Sequence, residues 1–274
     1  MDVLLPTILV GVLGLVFGLM LALFAKKFAV PVNPLVQEVE YLLPGANCGA
    51  CGFPGCSGLA EKIASGEAPP NACPVGGPRV WAQLSKLLGQ ENENWEVKRA
   101  FLLCQGGKSV AQTIADYEGV SDCQAAHLLS GSFKGCRFGC LGLGNCIRVC
   151  PFGALHLDEE TGLPMVDWEK CTGCGKCAAE CPRNLFVLVP KKEQILVACA
   201  SPEGAKEVRK VCSRGCIKCQ LCVRVCPEGA ITFENGRIAI SREKCTLCGL
   251  CVEKCPTHCI IRVGKKEALL EVQS

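Results

Sequence analysis

Two cysteine runs near the carboxyl end of the chain have spacings that suit metal-cluster chemistry. Residues 216–227 read CIKCQLCVRVCP and residues 245–256 read CTLCGLCVEKCP, so both follow the pattern C-x2-C-x2-C-x3-C-P. Three thiolates two residues apart can surround one face of a cuboidal iron–sulfur core, and the cysteine before proline is directed at a neighbouring core. The expected ligands are Cys216, Cys219, Cys222 and Cys255 for one [4Fe–4S] cluster, and Cys245, Cys248, Cys251 and Cys226 for another.

A second pair of runs lies upstream. Residues 171–182 read CTGCGKCAAECP and keep the same spacing. The run before it is looser, because gaps of three, five and three residues separate Cys136, Cys140, Cys146 and Cys150, which Pro151 follows. The same exchange of fourth ligands predicts two more clusters. Their ligands are Cys136, Cys140, Cys146 and Cys181 for one, and Cys171, Cys174, Cys177 and Cys150 for the other.

The elements that position these runs repeat along the chain. Residues 150–171 (CPFGALHLDEETGLPMVDWEKC) and 226–245 (CPEGAITFENGRIAISREKC) both contain Cys-Pro, a strand, a turn, a second strand and the start of the next run. Asn235-Gly236 suits the tight turn of a hairpin. The repeat predicts two duplicated two-cluster modules, resembling bacterial ferredoxins, at residues 136–190 and 191–274.

A different cysteine pattern precedes the repeat. Cys48, Cys51, Cys56 and Cys73 are spaced C-x2-C-x4-C-x16-C, and Pro74 follows the last of them. Nearby glycines free backbone amides to hydrogen-bond cluster sulfurs and allow positive φ. We expect a fifth [4Fe–4S] cluster here, in a domain at residues 29–80 with a short helix in PLVQEVEYLLPG, stopped by Pro44 and Gly45, and another over GLAEKIASGE. Zinc is the alternative that this spacing leaves open, whereas the compact runs contain more cysteines than a tetrahedral zinc site uses.

Residues 81–135 lack a ligand run and are expected to form an α/β connecting segment. RVWAQLSKLLG and DCQAAHLLSG have helical patterns, and KRAFLLC favours a strand. Five cysteines of the chain lie outside every run; they are Cys104, Cys123, Cys199, Cys212 and Cys259. Free buried cysteine is an ordinary small hydrophobe, and this is the role expected of them. A sixth cluster built from the first four is the disfavoured alternative, because they lie on separated segments.

An apolar stretch at residues 4–25 has no charged side chain and is long enough to cross a bilayer as a helix. Asp2 precedes it, and Lys26 and Lys27 follow it. The positive-inside rule therefore predicts a single-span anchor at residues 1–28, with the amino terminus outside and every cysteine domain in the cytoplasm of a bacterial or archaeal cell. Disulfides are rare in that compartment. Gly14 and Gly18 form a G-x-x-x-G pair, which favours packing against another membrane subunit.

The 274-residue chain has 25 cysteines and 5% aromatic residues, so clusters are expected to replace much of the usual core. Its formal charge of +3 counts thiols as neutral. Five oxidised clusters at about −2 each would bring the holoprotein to roughly −7, so the charge gives no argument for nucleic acid. The sequence contains no G-x-G-x-x-G after a strand and no Walker A loop, and hence no evident site for hydride chemistry.

The segment LPGANCGACGFPGCSGLAEKIASG, followed by CPVGG, closely resembles the cluster domain of the B subunit of Rnf complexes and is also similar to that of corrinoid iron–sulfur proteins. The apolar segment before it and the ferredoxin-like modules after it single out the Rnf family. Rnf complexes are membrane-bound, ion-translocating ferredoxin:NAD oxidoreductases. The resemblance implies an α+β electron-transfer subunit that receives electrons from reduced ferredoxin at its carboxyl-terminal modules. Partner subunits then carry the flavins and the NAD site and move Na⁺ or H⁺.

Three other functions are left open at this point. The first is a membrane-tethered polyferredoxin that serves another reductase, which would not co-purify with flavin-carrying membrane subunits. The second is a zinc-dependent scaffold, which would lack the visible absorption of iron–sulfur clusters. The third is a corrinoid-linked methyl carrier, which ranks last because the sequence has no cobalamin-binding domain.

Overall fold

The computed structural model describes residues 4–28, 33–90, 95–130 and 133–264. In these ranges the chain forms helices and four two-stranded antiparallel sheets. The helices are α1 (Leu4–Lys27), α2 (Pro34–Leu42), α3 (Gly55–Ala64), α4 (Gly77–Leu87), α5 (Cys123–Ser130), α6 (Asn145–Arg148), α7 (Lys176–Glu180), α8 (Ala205–Val211), α9 (Leu221–Val225) and α10 (Leu250–Glu253). The strands are β1 (Lys98–Leu102), β2 (Leu155–Leu157), β3 (Pro164–Val166), β4 (Phe186–Pro190), β5 (Gln194–Val197), β6 (Ile231–Glu234), β7 (Arg237–Ile240) and β8 (Ile260–Val263).

Helix α1 is long and apolar enough to cross a membrane. Its segment from Thr7 to Lys27 has a mean hydropathy of 2.8, and its side chains are not buried against the rest of the described chain. A Cβ added at Gly14 or Gly18 would meet no atom within 4 Å, so this face is open to a neighbouring helix. The packing predicted from the G-x-x-x-G pair stays a prediction.

Helices α2, α3 and α4 form one small module. Asn33 caps α2 by accepting a hydrogen bond from the amide of Leu35, which satisfies one of the free donors of the first turn. Val39, Leu59 and Leu84 are almost fully buried and share one apolar cluster. The boundary expected at residue 80 therefore falls inside α4, because the apolar face of α4 packs on the module before it.

Each two-cluster module is closed by a sheet that joins a strand before its cysteine runs to a strand after them. In the first module β1 pairs with β4, from Lys98 opposite Pro190 to Leu102 opposite Phe186. In the second, β5 pairs with β8 from Gln194 to Val197. Strand β1 is therefore paired with the first module, although it lies inside the range 81–135 that the sequence predicts as a connecting segment. The sequence pattern of a single strand does not show which other strand it pairs with.

The predicted hairpins are present between the runs. Strands β2 and β3 form one hairpin, and β6 and β7 form the other around Asn235 and Gly236, whose φ angles are 50° and 71°. Both values lie in the left-handed region that a two-residue hairpin turn requires. Each hairpin therefore brings the Cys-Pro turn that precedes it and the cysteine run that follows it to its open end, opposite the turn.

The two modules meet along an apolar seam. Phe101 and Val189 from the first module pack with Ala198 and Val263 from the second. Beside this seam the backbones of Cys104 and Cys199 form an antiparallel bridge. Cysteines that the sequence left without a role therefore lie at the junction of the two copies.

Candidate iron–sulfur sites

The four run loops turn into short helices through one residue with positive φ. These residues are Gly144, Gly175, Gln220 and Gly249, which precede α6, α7, α9 and α10 with φ of 81°, 79°, 57° and 86°. The left-handed conformation reverses the chain and brings a cysteine of each run into the first helical turn. Those cysteines are buried; they are Cys146, Cys177, Cys222 and Cys251.

One cysteine quartet lies inside the first module. Burial raises the pKa of Cys177 to about 12, and the nearby sulfurs of Cys171, Cys174 and Cys150 raise it further. The same four residues line one cavity. This grouping, three cysteines from one run and the last cysteine of the other, is the arrangement expected from the spacing.

The second module contains two quartets of the same kind. Burial raises the pKa of Cys222 to about 11, and Cys216, Cys219 and Cys255 are its sulfur neighbours. Burial also raises the pKa of Cys251, whose neighbours are Cys245, Cys248 and Cys226. Both groupings are the expected ones.

The other quartet of the first module differs from the expectation. Burial raises the pKa of Cys146 to about 12, with further contributions from the sulfurs of Cys140, Cys123 and Cys181. These four cysteines line a common cavity, which Cys136 does not line. Cys123, at the start of α5, thus occupies the position assigned to Cys136 from the sequence. The amide of Cys123 donates to Asn145 Oδ1 at 2.7 Å, which fixes α5 beside the run.

The displaced Cys136 joins three cysteines from outside the runs. Burial raises the pKa of Cys212 to about 11, and the sulfurs of Cys104, Cys136 and Cys199 are its neighbours. All four line one cavity at the seam between the modules. We call Cys104, Cys136, Cys199 and Cys212 the bridging quartet. It shares three members with the sixth-cluster alternative, but Cys136 stands where that alternative had Cys123.

The bridging quartet takes two residues from each copy of the repeat, at equivalent places. Cys104 lies two residues after the end of β1, and Cys199 lies two residues after the end of β5. Cys136 and Cys212 each stand four residues before the first ligand of the following run, Cys140 and Cys216. Duplication of the module therefore generates a fourfold sulfur site at the contact between its two copies.

Two buried or half-buried cations flank the bridging quartet. Lys134 is 6% exposed, and its Nζ donates to the carbonyl of Gly106 at 3.2 Å. Arg183 donates to the carbonyls of Gly139 and Cys136. Positive charge at this depth favours thiolates and an anionic core over neutral thiols.

Backbone amides donate hydrogen bonds to several sulfurs of the quartets. The amides of Ala154, Leu185 and Ala230 donate to Cys150, Cys181 and Cys226 Sγ at 3.4, 3.5 and 3.4 Å. The amide of Ala100 on β1 donates to Cys171 Sγ at 3.5 Å. Such donors stabilise negative charge on sulfur and are one of the means by which proteins tune cluster potentials.

The amino-terminal site lies in the loop between α2 and α3. Burial raises the pKa of Cys73, with the sulfurs of Cys51 and Cys56 close by. Cys48 is half-buried at the start of the same loop. The amide of Cys56 donates to Asn47 Oδ1 at 2.7 Å, and Trp81 Nε1 donates to the carbonyl of Cys73 at 2.7 Å.

The donor set suits clusters better than single ions. In the described ranges, no three His, Cys, Asp or Glu side chains converge closely enough to hold one metal ion. A tetrahedral zinc site draws its sulfurs to about 2.3 Å from one point, whereas a cuboidal core keeps them further apart. All-cysteine quartets around cavities, with amides directed at the sulfurs, fit [4Fe–4S] cores.

Family comparisons define the class of protein. An Fe-S cluster family model matches residues 43–75, and a 4Fe-4S dicluster domain matches residues 134–185 and 215–259. The chain is therefore an iron–sulfur protein with ferredoxin-like dicluster domains. Cys104, Cys123, Cys199 and Cys212 lie outside the matched ranges.

Whole-chain relatives identify the family. The chain is 45% identical to the B subunit of the Na⁺-translocating ferredoxin:NAD⁺ oxidoreductase complex of Acetobacterium woodii, over 98% of this chain and 81% of the relative. It is 46% identical to the B subunit of an ion-translocating oxidoreductase complex of Methanosarcina acetivorans (85% and 88% covered). It is 41% identical to the B subunit of the proton-translocating ferredoxin:NAD⁺ oxidoreductase complex of Clostridium ljungdahlii (89% and 86% covered). The chain belongs to the family of B subunits of Rnf-type ion-translocating ferredoxin:NAD⁺ oxidoreductases.

Proposed function

We propose that this chain is the membrane-tethered electron-transfer arm of an Rnf-type complex, relaying electrons between reduced soluble ferredoxin and the other subunits. It would hold six [4Fe–4S] centres. The observation that carries the proposal is the row of neighbouring cysteine quartets, which continues across the seam between the two modules through Cys104, Cys136, Cys199 and Cys212.

The six ligand sets use all but one of the 25 cysteines. They are Cys48, Cys51, Cys56 and Cys73; Cys150, Cys171, Cys174 and Cys177; Cys123, Cys140, Cys146 and Cys181; the bridging quartet; Cys216, Cys219, Cys222 and Cys255; and Cys226, Cys245, Cys248 and Cys251. A bound [4Fe–4S] centre supplies one-electron chemistry, at a potential set by charge, hydrogen bonds and burial. The chain itself holds the sulfurs, shields them from water and directs amides at them.

Adjacent quartets contact each other through ligands or their backbones. The sulfur of Cys177 is close enough to raise the pKa of Cys146, a ligand of the next quartet. The amide of Cys140 donates to Cys104 Sγ at 3.4 Å. The amide of Cys216 donates to the Cys199 sulfur, which joins the bridging quartet to the second module. Helix α9 then separates Cys222 from Cys226, a ligand of the last quartet, by one turn.

The bridging quartet explains why two ferredoxin-like modules can act as one carrier. Without it, the five remaining quartets would fall into an amino-terminal site and two pairs. With it, both pairs have a sulfur site between them at the apolar seam. Lys134 and Arg183 supply positive charge there, which offsets the negative charge that an all-thiolate centre concentrates.

Partner subunits are expected to carry out the rest of the reaction. The sequence offers no nucleotide-binding loop for NAD. Helix α1 contains no acidic, His or Arg residue from Leu4 to Ala25, so it offers no ionisable group for ion movement. We propose that α1 is a single-pass anchor with its amino terminus outside, because Lys26 and Lys27 lie at its carboxyl end. The sulfur-rich modules then lie in the cytoplasm, where soluble ferredoxin is found.

Rapid reduction of the full-length protein by reduced ferredoxin tests this proposal. The purified chain in detergent is mixed anaerobically with reduced ferredoxin, and the loss of visible cluster absorbance is followed by stopped flow. The amplitude of the fast phase reports the fraction of centres that ferredoxin reduces rapidly. In Cys212→Ala this fraction is expected to fall to the centres on one side of the seam, because the bridging centre is lost. Ser213→Ala, at the neighbouring exposed position, is the matched control. Equal amplitudes in both variants would overturn the role of the bridging quartet.

A further inference from the structure

Cys259 is the one cysteine that belongs to no quartet. It is 1% exposed and lies just before β8, where its carbonyl accepts a hydrogen bond of 2.8 Å from the amide of Ala198. Its sulfur lies 3.6 Å from that of Cys255 and is also within hydrogen-bonding reach of Cys216. It lines the same cavity as these two residues. The thiol therefore contacts two ligands of one centre.

The place of Cys259 is fixed by a turn that recurs in both modules. Each Cys-Pro is followed by a residue with positive φ at the third position after the cysteine; these are Gly153, Asn184, Gly229 and His258. The fourth position is buried in every copy; it holds Ala154, Leu185, Ala230 and Cys259. Three copies thus have an aliphatic side chain beside the ligand, and the fourth has a sulfhydryl group.

We propose that the Cys259 thiol is a hydrogen-bond donor to the Cys255 and Cys216 sulfurs and sets the potential of the centre held by Cys216, Cys219, Cys222 and Cys255. Cys259 is a positioning residue and not a ligand. An S–H donor stabilises negative charge on ligand sulfur, and reduction of the core adds negative charge. The donor therefore makes this centre easier to reduce than one with an aliphatic residue at the same place.

The contacts of Cys259 favour a donor over a simple apolar filler. Its sulfur is in contact with two ligand sulfurs and not with one, although a single buried methyl group would fill the position, as Ala154 and Ala230 do. These sulfur contacts are specific to this copy of the turn, because the other three copies have aliphatic side chains at the same position.

The test is an EPR-monitored redox titration of the full-length protein in detergent. Cys219→Ala first identifies the signal of this centre, because that signal should disappear with loss of an exposed ligand. Cys259→Ala is expected to retain wild-type iron and to lower the equilibrium constant for reduction of that signal about tenfold, equivalent to about 60 mV. Cys259→Ser, whose hydroxyl still donates, is expected to lie close to wild type.

Leu185→Ala is the matched control, because it shortens the side chain at the same turn position of the first module without removing a donor. It should leave the signal identified by Cys219→Ala unshifted. An unshifted midpoint in Cys259→Ala with full iron would overturn the proposal, and so would loss of about four irons in that variant, since Cys259 would then be a ligand. The inference rests on the proposed ligand set. Failure of Cys219→Ala to remove any signal would overturn that set separately.

Discussion

The backbone amide of Cys140 donates a hydrogen bond of 3.4 Å to the sulfur of Cys104, a residue 36 positions earlier in the chain. Cys140 belongs to a quartet of the first module, and Cys104 belongs to the bridging quartet. One hydrogen bond therefore joins the ligand sets of two adjacent sites. The same kind of contact, from the amide of Cys216 to Cys199, joins the bridging quartet to the second module.

The charge beside the bridging quartet predicts a raised potential for its centre. Lys134→Met keeps much of the side-chain volume and removes the buried ammonium group. The reduced core is more negative than the oxidised one, so losing the cation should shift its midpoint to more negative values, on the order of 60 mV for a tenfold effect. EPR-monitored redox titration measures the shift. The control is Lys108→Met, at an exposed lysine, and identical titrations of the two variants would contradict the prediction.

Cluster assembly should release protons and become more favourable as the pH rises. Burial raises the pKa of Cys140, Cys146 and Cys177 to about 12, so these thiols are protonated in the folded apoprotein at neutral pH. Ligation requires thiolate, so each must lose its proton. An indicator dye in weak buffer during anaerobic reconstitution should report the release of protons as these thiols bind iron. Reconstitution yields that do not change between pH 7 and pH 8.5 would argue against this.

The same shifts give the apoprotein a defined pH dependence. The thiols of Cys140, Cys146 and Cys177 have their ordinary pKa in the unfolded chain and a pKa of about 12 in the folded one, so between these values they hold more protons in the folded state. Stability of the apoprotein should therefore fall as the pH rises through that interval. Chemical denaturation of the apoprotein at stepped pH values measures the trend.

Helix α4 should contribute to the stability of the amino-terminal site. Leu84 is fully buried against α2 and α3, so Leu84→Ala is expected to cost about 2–5 kcal/mol. The urea midpoint of tryptophan fluorescence should fall, because Trp81 lies on α4 and packs against Trp95. Gln83→Ala, on the exposed side of the same helix, should change little. Equal midpoints would mean that α4 is not part of this module.

Strand β1 should prevent substitution of Gly173 in the run at residues 171–181 by any residue with a side chain. Gly173 has φ of 72°, and a Cβ there would collide with the carbonyl of Lys98 on β1. Gly153 has φ of 57° but open space around it. Gly173→Ala is expected to lose about four irons per chain, whereas Gly153→Ala should bear only backbone strain of about 1–2 kcal/mol and keep its iron. Equal iron contents would contradict the packing of β1 on this loop.

The compact runs could be grouped from sequence because the ligands of one core lie within a single short loop. The looser run could not be grouped correctly in this way, although its spacing shows that one cysteine is missing from the standard pattern. Counted back from Cys150, the standard spacing requires cysteine at 146, 143 and 140, and Leu143 stands at the middle position. The run therefore lacks one cysteine of the standard set, and Cys123 from α5 lies beside the other members of this quartet. Cys136 is outside the run and free for another site.

The bridging quartet had no local signal at all. Its members come from four segments between residues 104 and 212, which long-range pairing brings together: the sheets β1–β4 and β5–β8 and the isolated bridges from Cys104 to Cys199 and from Ala111 to Cys212. Comparing the two copies of the repeat would have helped, since Cys104 matches Cys199 and Cys136 matches Cys212. The hairpins and helices were predictable because their patterns are local, whereas domain boundaries depend on long-range pairing.

Iron and acid-labile sulfide per chain, on anaerobically purified full-length protein, test the six-centre account most directly. The wild type should contain about 24 of each, Cys212→Ala about 20, and Cys259→Ala about 24, because four irons belong to each centre and Cys259 is not a ligand. A value near 20 in both the wild type and Cys212→Ala would contradict the bridging centre. A value near 12, with zinc in place of the missing iron, would contradict the electron-transfer role of the array.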